Sequence, residues 1–156
     1  MELLMLRLSL FLLALSLPTI AAAQDAMTVR ASKFPVEETA ERLAKAIEGK
    51  GIKVGGRFDH AAGAKAAGLE LAPTVVLMFG NPKLGTPLMQ ADPRIGLDLP
   101  MKMLVWQDKA GKVWVGYAPP ATLQARYGVE GKAAGDAIAA MAGVLDGFAK
   151  AATGTE

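Results

Sequence analysis

The chain contains no cysteine and a single histidine, His60. Without thiols it can form no disulfide, no thiolate metal site and no cysteine nucleophile, so its fold rests on packing alone. A metal site built on nitrogen or sulfur ligands usually needs more than one imidazole or thiolate. The sequence also lacks the Gly-x-Ser-x-Gly motif of serine hydrolases and a phosphate-binding glycine motif in the required context. From these absences we expect no cofactor, and an enzyme is the less favoured class.

The number and distribution of the charged residues argue against a nucleic-acid partner. Lysine and arginine number 17 against 15 aspartates and glutamates, which gives a net charge of +2. The basic residues are spread along the chain, whereas a nucleic-acid-binding surface needs a basic patch interleaved with aromatic side chains. We therefore expect no nucleic-acid partner. A length of 156 residues suits one domain.

Residues 1–23 have the order of a secretory signal peptide. Arg7 ends a short n-region, Leu8 to Leu17 form an apolar segment, a proline breaks it, and alanines follow up to Ala23. The alternative is an uncleaved anchor, for which the apolar segment is short. We therefore expect cleavage after Ala23, a periplasmic or secreted protein, and no membrane contact after cleavage.

Periodicity and turn residues predict an alternation of strands and helices after the signal. Pro35 suits the first position of a helix, and the apolar side chains that follow recur at helical spacing. Thr74 to Phe79 is apolar at every position but the first, which is typical of a strand covered on both faces. Gly55-Gly56 indicates a bulge. The expected elements are strands at Met27–Ala31, Ile52–Phe58, Thr74–Phe79, Met101–Gln107 and Lys112–Ala118, and helices after Pro35 and over Ala61–Gly68, Ala121–Tyr127 and Lys132–Ala151.

The long connection between the third and fourth expected strands organises the chain. From Phe79 to Pro100 it contains four prolines and three glycines, with a short helix expected around residues 83–90. A connection of this length between two apolar strands usually forms a packed functional loop. The candidate site is therefore expected here.

Several short motifs in and before this loop carry a resemblance to a known family. They are Asp59-His60-Ala61-Ala62, Gly68-Leu69-Glu70-Leu71-Ala72-Pro73, Phe79-Gly80-Asn81-Pro82, Ala91-Asp92-Pro93 and Leu97-Asp98-Leu99-Pro100. In this order and spacing the chain resembles the DUF302 family, a bacterial and archaeal domain of unknown function, over residues 27–127. The resemblance implies an α+β fold, β-α-β(4)-α with a TBP-like outline, in which a curved antiparallel sheet packs on helices and the protein is often dimeric. The helix over residues 132–151 would be an addition outside the core pattern, and no activity is implied.

Seven residues in or beside the loop are candidates for binding a small ligand. The cations could hold a carboxylate or phosphate, the polar side chains could orient a ligand, and the tryptophan could line an apolar pocket. Asparagine and aspartate before proline also set turns and cap helices, and exposed cations are often only solvated, so a structural reading stays open. The candidates are Asn81, Pro82, Asp92, Arg94, Asp98, Lys102 and Trp106.

Two weaker sites are also conceivable. His60 beside Asp59 could serve as a general acid or base, although the same pair could simply cap the alanine-rich helix that follows. His60, Met101 and Met103 are candidate metal ligands, because thioethers suit Cu(I) in an oxidising compartment. Methionine more often fills irregular core space.

The leading hypothesis is an exported, non-enzymatic module that binds a small molecule in an apolar pocket beside the sheet. One alternative is a small enzyme that uses His60 with an aspartate. Another is a structural module that forms a homodimer through a sheet edge or through the last helix, where Ala139, Gly143 and Gly147 make a face of small residues.

Overall fold

The computed structural model describes residues 27–155, so the expected signal peptide lies outside the described residues. The strands are β1 (Thr28–Ala31), β2 (Val54–Asp59), β3 (Thr74–Phe79), β4 (Met101–Gln107) and β5 (Val113–Tyr117). The helices are α1 (Val36–Glu48), α2 (His60–Ala66), α3 (Pro82–Ala91), α4 (Ala121–Tyr127) and α5 (Lys132–Thr153), with a 3-10 helix at Pro93–Leu97. Within residues 27–155, no helix has the length and apolar character needed to cross a membrane.

The five strands form one open antiparallel sheet in the order β1-β5-β4-β3-β2. This arrangement is α+β and confirms the expected fold class. The bulge predicted at the paired glycines is present, because the register of β2 against β3 shifts between Val54 and Gly56.

One face of the sheet is covered by α1 and α5, and we call it the covered face. Side chains of β3, β4 and β5 on this face interlock with the apolar stripes of the two helices, and the rings of Phe79 and Phe148 meet edge to face at 5.6 Å. Burial of these side chains is the main source of stability. The core includes Leu43, Ile47, Leu77, Met103, Val105, Val115, Leu145 and Phe148.

The other face of the sheet, which we call the open face, carries a row of residues that crosses all five strands. Backbone pairing aligns them in the order Phe58, Val76, Leu104, Gly116 and Val29. The two ends of the row are exposed, Phe58 by 54% and Val29 by 49%. The prediction that β3 is covered on both faces is therefore wrong, since burial alternates along this strand.

The loop between β3 and β4 is anchored by a second, smaller core. Leu88 of α3 and Ile95 of the 3-10 helix are fully buried there, against Leu123 of α4 and Met141 of α5. The loop is therefore a packed part of the domain, as its prolines and glycines predicted. Its position places it at one end of the sheet, beside β4.

Candidate functional site

Two of the loop's polar candidates are occupied as helix caps. The Asn81 side-chain oxygen accepts a hydrogen bond from the backbone N–H of Lys83 at 3.0 Å and begins α3. The Asp92 carboxylate accepts from the N–H of Arg94 at 2.9 Å and begins the 3-10 helix. Such caps satisfy the free N–H groups of a helix start, which is the structural reading of the X-Pro motifs.

Asp92 also binds the guanidinium of Arg94: Oδ1 accepts from Nε at 3.0 Å, and Oδ2 accepts from Nη2 at 2.6 Å. The side-chain hydrogen bond from Arg94 holds the pKa of Asp92 below its usual value. The Arg94 side chain is 77% exposed, so this is a surface pair between near neighbours in sequence. Surface pairs of this kind contribute little to stability.

Asp98 makes a different and longer-range set of contacts. Its carboxylate accepts hydrogen bonds from Arg126 Nη1 at 2.9 Å and from the Tyr127 hydroxyl at 2.8 Å, both at the end of α4. The hydrogen bond from Arg126 is the main cause that lowers the pKa of Asp98, and the charge of Lys102 adds to it. The same carboxylate raises the pKa of Tyr127. Asp98 thus ties the loop to α4.

Asp98, Lys102 and Arg126 stand around a cavity of about 300 Å³ at one end of the open face, which we call the open-face cavity. Its walls are mainly apolar and come from β3, β4, β5, the Pro119-Pro120 turn and α4. Among the described residues Lys102 forms no ion pair, whereas Arg126 is held by Asp98. The apolar walls include Met27, Val76, Leu104, Gly116, Pro119, Pro120 and Leu123.

Trp106 lies on the open face beside this cavity, over Gly116. A Cβ placed on Gly116 would lie 2.9 Å from Cζ3 of Trp106 and 3.0 Å from Sδ of Met27, so the close approach of the ring depends on glycine at this position. Trp114, its cross-strand partner, donates from Nε1 to Asp108 at 2.8 Å. The tryptophans therefore belong to the open face and not to the main core.

A second cavity, of about 370 Å³, is lined by residues of the loop together with Met101 and Met141, and we call it the methionine groove. It contains the candidates Asn81 and Pro82, but its lining is mostly apolar and includes three methionines, Met89, Met101 and Met141. The seven candidate residues are therefore divided: two at the methionine groove, two at the open-face cavity, one on the open face, and the Asp92–Arg94 pair at the surface.

The weaker catalytic candidates have structural roles. Asp59 accepts a hydrogen bond from the N–H of Ala62 at 2.8 Å and caps α2, while the ring of His60 packs against Phe58 with centroids 4.9 Å apart. Of the metal candidates, Met103 is fully buried in the main core and Met101 is half-buried at the loop. The described part of the chain has no cluster of three histidine, cysteine or acidic residues able to hold a metal ion.

Comparison with known proteins settles the family. The sequence profile of "Domain of unknown function DUF302" matches residues 27–148. The chain belongs to the DUF302 family. The match includes most of α5, whereas the resemblance in sequence implied a helix outside the core pattern.

A solved DUF302 structure has the same fold. It is the "uncharacterized conserved protein DUF302" from Bacillus stearothermophilus, which superposes with a TM-score of 0.71 and 22% sequence identity. The match covers 81% of this chain and 97% of that chain. At this identity the likeness establishes the fold of the DUF302 domain alone.

Curated relatives are closer in sequence but longer. The "Fluoride-specific ion channel FluC 1" of Brucella suis biovar 1 is 48% identical over 110 residues, which is 70% of this chain and 43% of that protein. The "Fluoride-specific ion channel FluC 2" of Brucella melitensis biotype 1 is also 48% identical over 110 residues, which is 40% of that protein. The DUF302 chain thus spans about two fifths of the length of these relatives.

Sequence reasoning did not single out Arg126, which lines the open-face cavity, Tyr127, which donates a hydrogen bond to Asp98, or Met141, which lines the methionine groove. Arg126 and Tyr127 follow Asp98 by 28 and 29 residues, and Met141 lies on α5, well separated from the loop in sequence. Their positions depend on how α4 and α5 dock on the loop of the DUF302 domain, for which a single sequence offers no local signal.

Proposed function

We propose that this DUF302 protein is exported and binds a small molecule in the open-face cavity. The observation that carries the proposal is the combination of apolar walls with Lys102, a cation that has no ion-pair partner among the described residues. Ligand sites are typically concave, mostly apolar and equipped with a few polar groups that fix orientation. The ligand class that fits is an apolar molecule with one acidic group.

The electrostatics of the rim favour an anion at Lys102. Asp98 is already neutralised by Arg126 and receives a second hydrogen bond from Tyr127, so its charge is largely satisfied. Lys102 then supplies the remaining positive charge next to an apolar wall. A charge-assisted hydrogen bond to a carboxylate is stronger than a neutral one, especially beside low-dielectric surroundings.

Binding of 8-anilinonaphthalene-1-sulfonate, an apolar anion, tests this proposal. The mature protein, beginning at residue 24, should show saturable binding with one site, and Lys102→Gln should weaken it by roughly tenfold, the loss of about 1.4 kcal/mol. Lys65→Gln on α2 is the matched control. Unchanged binding in His60→Ala would argue against a role for His60 at this site. Absence of saturable binding, or equal loss in Lys102→Gln and Lys65→Gln, would contradict the proposal.

Export is tested independently by the mass of the protein recovered from its own cells. Cleavage after Ala23 predicts a periplasmic or secreted polypeptide that starts at Gln24. A polypeptide that retains residues 1–23 and sediments with membranes would contradict export as a free protein. Native mass spectrometry of the same material would reveal a retained small molecule and whether the protein is a homodimer.

A second candidate function, as an accessory module in fluoride handling, rests on the two Brucella relatives. They are 48% identical to this chain and carry the name of a fluoride-specific ion channel, although the chain spans only part of them. Deletion of the gene should then increase growth inhibition by sodium fluoride but not by sodium chloride, and the gene in trans should reverse it. Unchanged fluoride sensitivity would remove this candidate.

A further inference from the structure

Three methionines line the methionine groove. Met89 comes from α3, Met101 from the start of β4 and Met141 from α5, so three separate elements contribute to it. Met101 and Met141 also line a smaller cavity together. The sulfur of Met89 lies over Gly96, where a Cβ would be 3.5 Å away.

These methionines differ in burial in a way that suits a site with an entrance. Met141 is 6% exposed, Met101 is half-buried, and Met89 is 36% exposed. A methionine that only fills a core closes the space around it. Here the three methionines and residues of the loop line a space of about 370 Å³.

The remaining lining discriminates between classes of cation. No carboxylate or imidazole belongs to it, and the oxygen of Asn81 is already used as the cap of α3. Calcium and magnesium sites usually include carboxylate oxygens, and no carboxylate lines this groove. Neutral, soft thioethers select Cu(I), whose single charge also costs less to remove from water than a divalent charge.

We propose that the methionine groove binds Cu(I) through the thioethers of Met89, Met101 and Met141. The arrangement replaces the sequence-based pairing of Met101 with Met103, because Met103 is buried in the main core while Met141 reaches the groove. The groove shares Met101 with the open-face cavity but contains neither Asp98 nor Lys102, and the proposal does not depend on the ligand proposed for that cavity.

Titration of the mature protein with Cu(I), without oxygen and against a chromophoric Cu(I) chelator, tests this proposal. One ion should bind per chain, and Met89→Leu and Met141→Leu should each weaken binding by about tenfold or more. Met103→Leu is the matched control, two residues from Met101 on the same strand, and should leave the affinity unchanged. Met89→Leu is the most informative variant, because Met101 also lines the open-face cavity.

A second measurement keeps the test valid if a variant folds poorly. In the wild-type protein labelled with carbon-13 at the methionine methyl groups, one equivalent of Ag(I), a redox-inert substitute, should shift the signals of Met89, Met101 and Met141 but not that of Met103. Absence of stoichiometric binding, or equal shifts of all methionine methyl groups, would overturn the proposal.

Discussion

The two faces of the sheet are built from the same strands but serve different ends. Leu77 and Met103 on the covered face are fully shielded by α1 and α5, while their neighbours Val76 and Leu104 on the open face stay half-exposed. Side chains on successive positions of a strand point to opposite faces, so one strand can stabilise the fold and present a surface at once. Alternate residues of one strand can therefore contribute separately to stability and to recognition in this domain.

Matched leucines on neighbouring strands give the strongest test of this separation. Leu77→Ala removes a buried side chain and leaves a cavity, so we expect a loss of about 2–5 kcal/mol in the free energy of unfolding. Leu104→Ala should cost clearly less, because Leu104 is half-exposed before the change. Urea denaturation of the two variants measures the difference. Equal losses would mean that the open face is covered in solution, for instance by a second copy of the chain.

The sequence predicted the strands well because their patterns are local. β3, β4 and α4 have the expected bounds, and the expected cap of α2 by Asp59 is present. The number of covered faces could not be predicted from β3, since an apolar residue at a half-exposed position looks the same in sequence as one in a core. That distinction depends on which helices dock on the sheet.

The candidate site was predictable only in part, for the same reason. The loop was located correctly from its prolines and glycines, but its polar residues do not converge on one cavity. Asp98 is directed towards Arg126 by the docking of α4, while Asn81 and Asp92 serve the helices that follow them immediately. Local motifs therefore revealed caps, and only tertiary contacts revealed the cavities.

Gly116 allows the open face to be altered at a single position. In Gly116→Ala the new Cβ would be too close to atoms of Trp106 and Met27, so these side chains must shift. We expect this shift to destabilise the protein by about 1–3 kcal/mol. Because Gly116 lines the open-face cavity, binding of the anionic probe should fall as well. Tryptophan fluorescence and the same binding titration report the two effects. An unchanged emission spectrum together with unchanged binding would show that Trp106 does not lie over Gly116.

Replacement of a glycine on α5 by alanine should stabilise the protein, in contrast to Gly116→Ala. Gly143 is exposed on the small-residue face of this helix, and a Cβ there meets nothing within 4 Å in the described structure. Gly143→Ala should therefore raise stability by about 0.4–1 kcal/mol, because alanine restricts the unfolded chain and favours helix. Thermal unfolding measures the gain, and analytical ultracentrifugation follows the oligomeric state. A loss of stability that depends on protein concentration would instead support a homodimer packed through this face.

The smallest effect is expected from acid, at the contact between the loop and α4. The pKa of Asp98 is lowered in the folded protein, chiefly by the hydrogen bond from Arg126. The contribution of Asp98 to stability is therefore complete above its unfolded pKa of about 3.9. This contribution is lost as the pH falls through the lower pKa of the folded protein. Asp98→Asn should abolish this part of the acid dependence and cost less at pH 7 than Gly143→Ala gains. Asp92→Asn is the control, because its partner Arg94 lies only two residues away and is largely exposed. Urea midpoints between pH 3 and pH 7 compare the variants. If the Asp92→Asn profile departs from wild type as strongly as the Asp98→Asn profile, the long-range contact to α4 contributes no more to stability than a local surface pair.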